Sequence, residues 1–132
     1  MSRPPPRPAE RRSTGLAVED RVAGWLEERG YRILARNHLC PRGEVDLVAE
    51  RGEVLAFVEV RSRRDDGLGS PAETVGFAKR RRVIAAATDY AVRHDLLERR
   101  AIRFDVIAVI DRGGALEIEH LPGAFDATGE AT

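Results

Sequence analysis

Cysteine is almost missing from this chain: Cys40 is the only one in 132 residues. An internal disulfide is therefore impossible, and a zinc site built from several thiolates is excluded. Aromatic side chains make up 5% of the sequence, too few for a platform that stacks the bases of single strands. Net charge is absent too, because 22 Lys and Arg balance 22 Asp and Glu. Bulk charge cannot coat nucleic acid, so any phosphate site must arise from local clustering. No apolar run approaches the ~20 residues of a membrane span. The opening Met-Ser-Arg-Pro-Pro-Pro lacks the apolar stretch of a secretory signal. The expectation is a cytoplasmic protein with no membrane partner. His38, His94 and His120 are too scattered to suggest a ligand set, and Gly67-Leu68-Gly69 lacks the lysine and the strand-to-helix setting of a phosphate loop.

What is present fits one domain of soluble globular composition. Residues 1–13 are rich in Pro and Arg and read as a disordered tail, residues 14–125 as the folded unit, and 126–132 as a second flexible tail. The spacing predicts a helix over 16–29, capped by Ser13 or Thr14 and stopped at Gly30. Strands are expected over 31–39, 44–50 and 54–61, with a hairpin turn at Arg51-Gly52. A polar loop follows, in which Ser70-Pro71-Ala72-Glu73 has the form of a capping box. A helix over 77–93 and strands over 102–110 and 116–121 complete the order α-β-β-β-α-β-β. That order implies an α/β fold, a mixed central sheet flanked by helices.

Three acids stand out. Glu59 ends the run Val54-Leu55-Ala56-Phe57-Val58, which is apolar on both faces and so suits an interior strand. An acid there has to be paired, protonated or bound to a cation. Strand alternation puts Glu44 and Asp46 on one face, opposite Val45, Leu47 and Ala49. With Arg51-Gly52 as the turn, Asp46 and Glu59 become diagonal neighbours about 6–8 Å apart, whereas a one-residue slip would send them to opposite faces. Glu19 lies on the apolar face of the first helix with Leu16, Ala23 and Leu26. Converging acids of this kind suit Mg²⁺ or Mn²⁺ and phosphodiester hydrolysis, with Arg61 beside the phosphate. The competing reading is a buried ion pair of Glu59 or Asp46 with Arg61 or Arg103. Arg63, Lys79 and Arg82 are candidate contacts to a nucleic-acid backbone, or simply a solvated basic face. Asp105, another acid in an apolar strand, is expected to pair with Arg103 or with the basic helix.

Gly43-Glu44-Val45-Asp46-Leu47-Val48-Ala49, followed by Phe57-Val58-Glu59-Val60-Arg61-Ser62-Arg63, resembles the YraN family of uncharacterised bacterial proteins. The likeness extends to Glu19, Trp25-Leu26, Gly30-Tyr31, Ile33 to Asn37, Lys79, Arg103 to Val106, and Glu119 to Phe125. That family is similar to archaeal Holliday junction resolvases and has a restriction-endonuclease-like fold. The resemblance implies a metal-dependent endonuclease acting on structured DNA, with Asp46 and Glu59 as metal ligands and Glu19 assisting them. It also makes a homodimer plausible. Arg61 departs from the motif, which normally has lysine there, and arginine is a poor general base. The alternative is thus a nucleic-acid-binding accessory domain with weakened catalysis. A third reading is a protein-interaction domain whose acids are all structural.

Overall fold

The run Val54 to Val58 is apolar on both faces because it forms the middle of a sheet covered on both sides. In the computed structural model, residues 8–64 and 75–132 are described, with side chains assigned for 18–62 and 75–132. The elements are α1 (Pro8–Glu28), β1 (Arg32–Cys40), β2 (Gly43–Arg51), β3 (Val54–Arg64), α2 (Phe77–Arg93), β4 (Ala101–Arg112) and β5 (Ala115–Phe125). The strands lie in chain order β1-β2-β3-β4-β5, with β3 and β4 parallel and the other pairs antiparallel. The crossover that a parallel pair requires contains α2. The fold is therefore the expected α/β mixed sheet flanked by helices, in the expected order. Among the described residues no helix is long and apolar enough to cross a membrane.

Two apolar layers sandwich the sheet. Val22 and Leu26 of α1 close over Leu47, Ala49, Ala56, Val58 and Ile107. Val83, Ala86, Ala87 and Tyr90 of α2 cover Val45, Val48, Leu55, Phe57 and Val106 on the other face. Each large side chain fully buried here stabilises by roughly 1.5–3 kcal/mol, less what its ordering costs.

The hairpin turn sits one residue later than the sequence suggests. Arg51 pairs with Val54, so the turn is Gly52-Glu53 and not Arg51-Gly52. Gly52 takes φ +58° at the first central position, which a type II′ turn demands and which glycine reaches without strain. This correction moves every cross-strand partner by two residues, so the faces are preserved. Carrying the ladder one step past Leu47↔Val58 places Asp46 directly opposite Glu59, not on its diagonal.

The ends of the domain also differ from expectation. Helix α1 starts at Pro8, so the boundary expected at residues 13 and 14 falls inside it. Proline is tolerated in a first helical turn, and the Ala, Glu and Arg residues that follow favour helix. At the other end, residues 126–132 fold back onto the sheet. Thr132 N–H donates to Ala124 O at 3.1 Å, and Asp126 Oδ1 accepts from Thr128 N–H at 2.8 Å. The helix stop at Gly30 is as expected: Tyr31 N–H reaches back to Leu26 O at 3.1 Å. Helix α2 begins after Gly76 with no side-chain cap. The expected capping box at Ser70 to Glu73 lies outside the described residues, as do residues 1–7 of the expected N-terminal tail.

Candidate functional site

The acids meet where β2 and β3 stop pairing. The last ladder pair is Leu47↔Val58. Beyond it, Val60 N–H donates to Asp46 Oδ2 at 2.8 Å, so a side chain takes a donor that a backbone carbonyl would otherwise satisfy. Strict alternation fails at the same place. Val45 and Val48 both pack toward α2, while Leu47 and Ala49 pack toward α1. The sequence reading had placed Val45 with Leu47 and Ala49. The irregularity extends to β1, where Asn37 adopts φ +50°, a conformation that asparagine tolerates better than most residues.

Glu59 is 2% exposed, and its Oε2 is buried with no hydrogen-bond partner. Burial, then the nearby charge of Asp46, pushes its carboxyl up to about 8, although Lys79 opposes the shift. Asp46 is also raised, first by burial, against the Val60 N–H that favours its charged form. The charge of Asp46 weighs on its neighbour, and together with burial it holds Glu59 toward its neutral form. Asp46 and Glu59 thus form a close acid pair that the protein leaves incompletely satisfied.

Lys79, on the first turn of α2, lies against these acids. Its Nζ is 3.4 Å from Glu59 Oε1 and 3.6 Å from Glu44 Oε1. Gly43 makes that approach possible. A Cβ at Gly43 would lie 1.9 Å from the carbonyl oxygen of Arg82, so only glycine lets the start of β2 touch the α2 backbone one turn beyond Lys79. Glu19 joins from α1. Asn37 Nδ2 donates to its Oε2 at 2.9 Å, and its carboxyl is raised by burial and by the charges of Asp46 and Glu44. Arg61 follows Glu59 by two residues on β3 and is half-buried.

The structure therefore brings Glu19, Asp46, Glu59 and Lys79 together, with Arg61 alongside. The side chain of Arg82 is exposed, and that of Arg63 lies outside the described residues. Sequence reasoning assigned Lys79 to a phosphate backbone and left Glu44 and Asn37 out of the site. Glu44 was legible, since it shares a strand face with Asp46. Asn37 gave no signal beyond its tolerance of a left-handed backbone.

The donor set fits a hard cation. It offers carboxylate oxygens, one of them an orphaned buried Oε2, and Mg²⁺ needs only one or two protein carboxylates when water and phosphate complete its shell. Among the described residues, no three His, Cys, Asp or Glu side chains are grouped closely enough to hold an ion by themselves. Any ion here would rest on the Asp46–Glu59 pair and on groups from outside the protein.

A second buried acid is arranged quite differently. Asp105 is fully buried on β4, at a register shift between Phe104 and Val106. It accepts from Arg103 Nε and Nη2, both at 2.8 Å, from His120 Nε2 at 2.8 Å, and from Gly123 N–H at 3.0 Å. Burial alone would raise its carboxyl, but these bonds outweigh burial and hold it below its ordinary value. Arg103 Nη2 also donates to the Tyr31 hydroxyl at 2.6 Å, and Trp25 and Tyr31 set their rings edge-on to His120. The expected Asp105–Arg103 pair is present, and His120 belongs to the same structural network. His38 instead contacts Asp89 at 2.8 Å, and His38 and His94 both lie against the ring of Tyr90, away from the Asp105 network.

A family model described as an uncharacterised protein family, UPF0102, matches residues 18–109. A UPF0102 protein of Anaeromyxobacter dehalogenans is 57% identical over 119 residues, covering 90% of this chain and 88% of that protein. One from Myxococcus xanthus is 49% identical over 120 residues, covering 91% and 94%. One from Syntrophotalea carbinolica is 48% identical over 120 residues, covering 91% and 97%.

Proposed function

The chain belongs to the uncharacterised family UPF0102, the YraN family, and from that premise we propose that it is a divalent-cation-dependent nuclease acting on structured DNA. The observation that carries this reading is Glu59: a carboxyl 2% exposed, with one oxygen unpartnered, facing a second carboxyl across the hairpin. A fold gains nothing from such a pair, and leaving it unsatisfied costs stability. Unrelieved strain of this kind is characteristic of sites kept for chemistry.

Asp46 and Glu59 would hold Mg²⁺ or Mn²⁺, which supplies polarisation of a phosphate oxygen and acidification of a bound water. The remaining roles fall to the chain's own groups. Val60 N–H fixes the Asp46 carboxylate in place. Asn37 holds Glu19 at the edge of the cluster, where a carboxyl raised by burial is suited to take a proton at one oxygen. Arg61 brings a guanidinium, which suits gripping phosphate and stabilising negative charge and makes a poor base.

The test is cleavage of four-way-junction and flapped DNA in Mn²⁺ or Mg²⁺. Cleavage should depend on the ion and disappear in Asp46→Asn and Glu59→Gln. Undiminished cleavage in those variants would refute the reading. Arg61 motivates a second reading, a nucleic-acid-binding accessory domain with weakened turnover. It expects salt-sensitive DNA binding without cleavage, and cleavage gained in Arg61→Lys.

A further inference from the structure

Only one of the 22 basic side chains is a lysine, Lys79; the other 21 are arginine. The position beside the acids is thus the one place where this sequence uses an ammonium. Arginine and lysine are not interchangeable there. A compact, strongly hydrated ammonium can sit between two carboxylates as a small cation does, and it can withdraw along a flexible stem. A planar guanidinium would lock onto the carboxylates through paired hydrogen bonds.

The geometry matches that distinction. Lys79 Nζ stands 3.4 Å from Glu59 and 3.6 Å from Glu44, distances of charge contact and not of tight hydrogen bonding. Its side chain retains 27% of its exposure, so it has a route out of the cluster. The backbone behind it is fixed, because Gly43 lets β2 lie directly against α2 at Arg82.

We infer that Lys79 is the internal counter-ion of the carboxylate cluster. In the cation-free protein its ammonium occupies the charge position beside Glu59 and Glu44, and a divalent ion must displace it to bind. The displaced ammonium is then placed to meet the phosphate that arrives with nucleic acid. This inference rests on the divalent-cation reading of the site. Repulsion between a dication and an ammonium about 6 Å away corresponds to about tenfold in affinity even at the dielectric of water.

Calorimetric titration with Mn²⁺ in the absence of nucleic acid tests this on the full chain. Lys79→Met should bind Mn²⁺ about tenfold more tightly than the unmodified protein, whereas Lys79→Arg should bind no more tightly than it. Protein carrying ¹³C-labelled lysine gives a single side-chain signal set. Its Cε resonance should move on Mg²⁺ addition, and should stay still in Glu59→Gln. Equal or weaker Mn²⁺ binding by Lys79→Met would overturn the counter-ion role while leaving the cation site intact. Absence of Mn²⁺ binding in every protein, or binding unchanged by Glu59→Gln, would overturn the cation site and this inference together.

Discussion

Glu59 and Asp105 lie on neighbouring parallel strands, one register step apart, since Val58 pairs with Asp105 and Glu59 with Val106. Among the described residues they are the two buried charged side chains. Glu59 faces α2 with Leu55 and Phe57, and Asp105 faces α1, opposite to Phe104 and Val106. Asp105 receives four hydrogen bonds and is held in its charged form. Glu59 meets another acid and a lysine, keeps one oxygen unpartnered, and is pushed toward its neutral form. The same residue class at similar depth thus serves two ends. Full satisfaction suits an acid that holds the fold together, and partial satisfaction is what the proposed cation site requires of Glu59.

The comparison breaks most visibly in activity. Asp46→Asn and Glu59→Gln should lower ion-dependent cleavage of junction DNA by at least about a thousandfold, the scale of several kcal/mol of lost electrostatic stabilisation. Initial rates in Mn²⁺ check this, and both variants should remain folded. Asp105→Asn should show the opposite profile. It leaves Arg103 without its carboxylate in a buried network, which costs about 3 kcal/mol in urea unfolding. A loss under about 0.5 kcal/mol would mean the network does not hold the fold. Gly43→Ala separates placement from chemistry. Its Cβ collides with the Arg82 carbonyl, so α2 must shift, costing about 2 kcal/mol and disturbing Lys79. The urea midpoint measures the first effect, and the lysine resonance measures the second.

Much of the site was legible because burial of an acid is visible in its sequence neighbours. Glu59 follows five apolar residues, and Asp46 alternates within another apolar run, so both announced themselves before any fold was known. The shared face of Asp46 and Glu59 survived the misplaced turn, since moving the turn by one residue shifts partners by two, but the face of Val45 did not. What the chain order hid was tertiary. The phase of α2 against the sheet decides whether Lys79 points to solvent or to Glu59, and that phase is set by contact of Gly43 with Arg82. A glycine before a strand looks like ordinary punctuation until the helix backbone is seen against it. The start of α1 was obscured by Pro8, which reads as part of a tail but is allowed in a first turn. The local break in alternation at Asp46 depends on a side chain replacing a ladder partner, which no periodicity records.

The most direct test of the contrast is unfolding stability as a function of pH, without divalent ions, for the unmodified chain, Glu59→Gln and Asp105→Asn. Glu59 has a folded value of about 8, above its ordinary 4.5. The folded chain therefore binds a proton that the unfolded chain has released. That contribution is fully present below about pH 4.5 and is lost as pH rises through about 8. Asp105 is depressed, so its contribution is present above its ordinary value of 3.8 and is lost on acidification below it. The account predicts that stability of the unmodified chain falls by roughly 2–4 kcal/mol between pH 5 and 8.5. Glu59→Gln should abolish most of that slope and be the more stable protein at pH 8.5, whereas Asp105→Asn should keep the slope and lie below the unmodified chain throughout pH 5 to 8.5. A Glu59→Gln protein that is destabilised as much as Asp105→Asn at pH 8.5 would contradict the account and make Glu59 a structural acid.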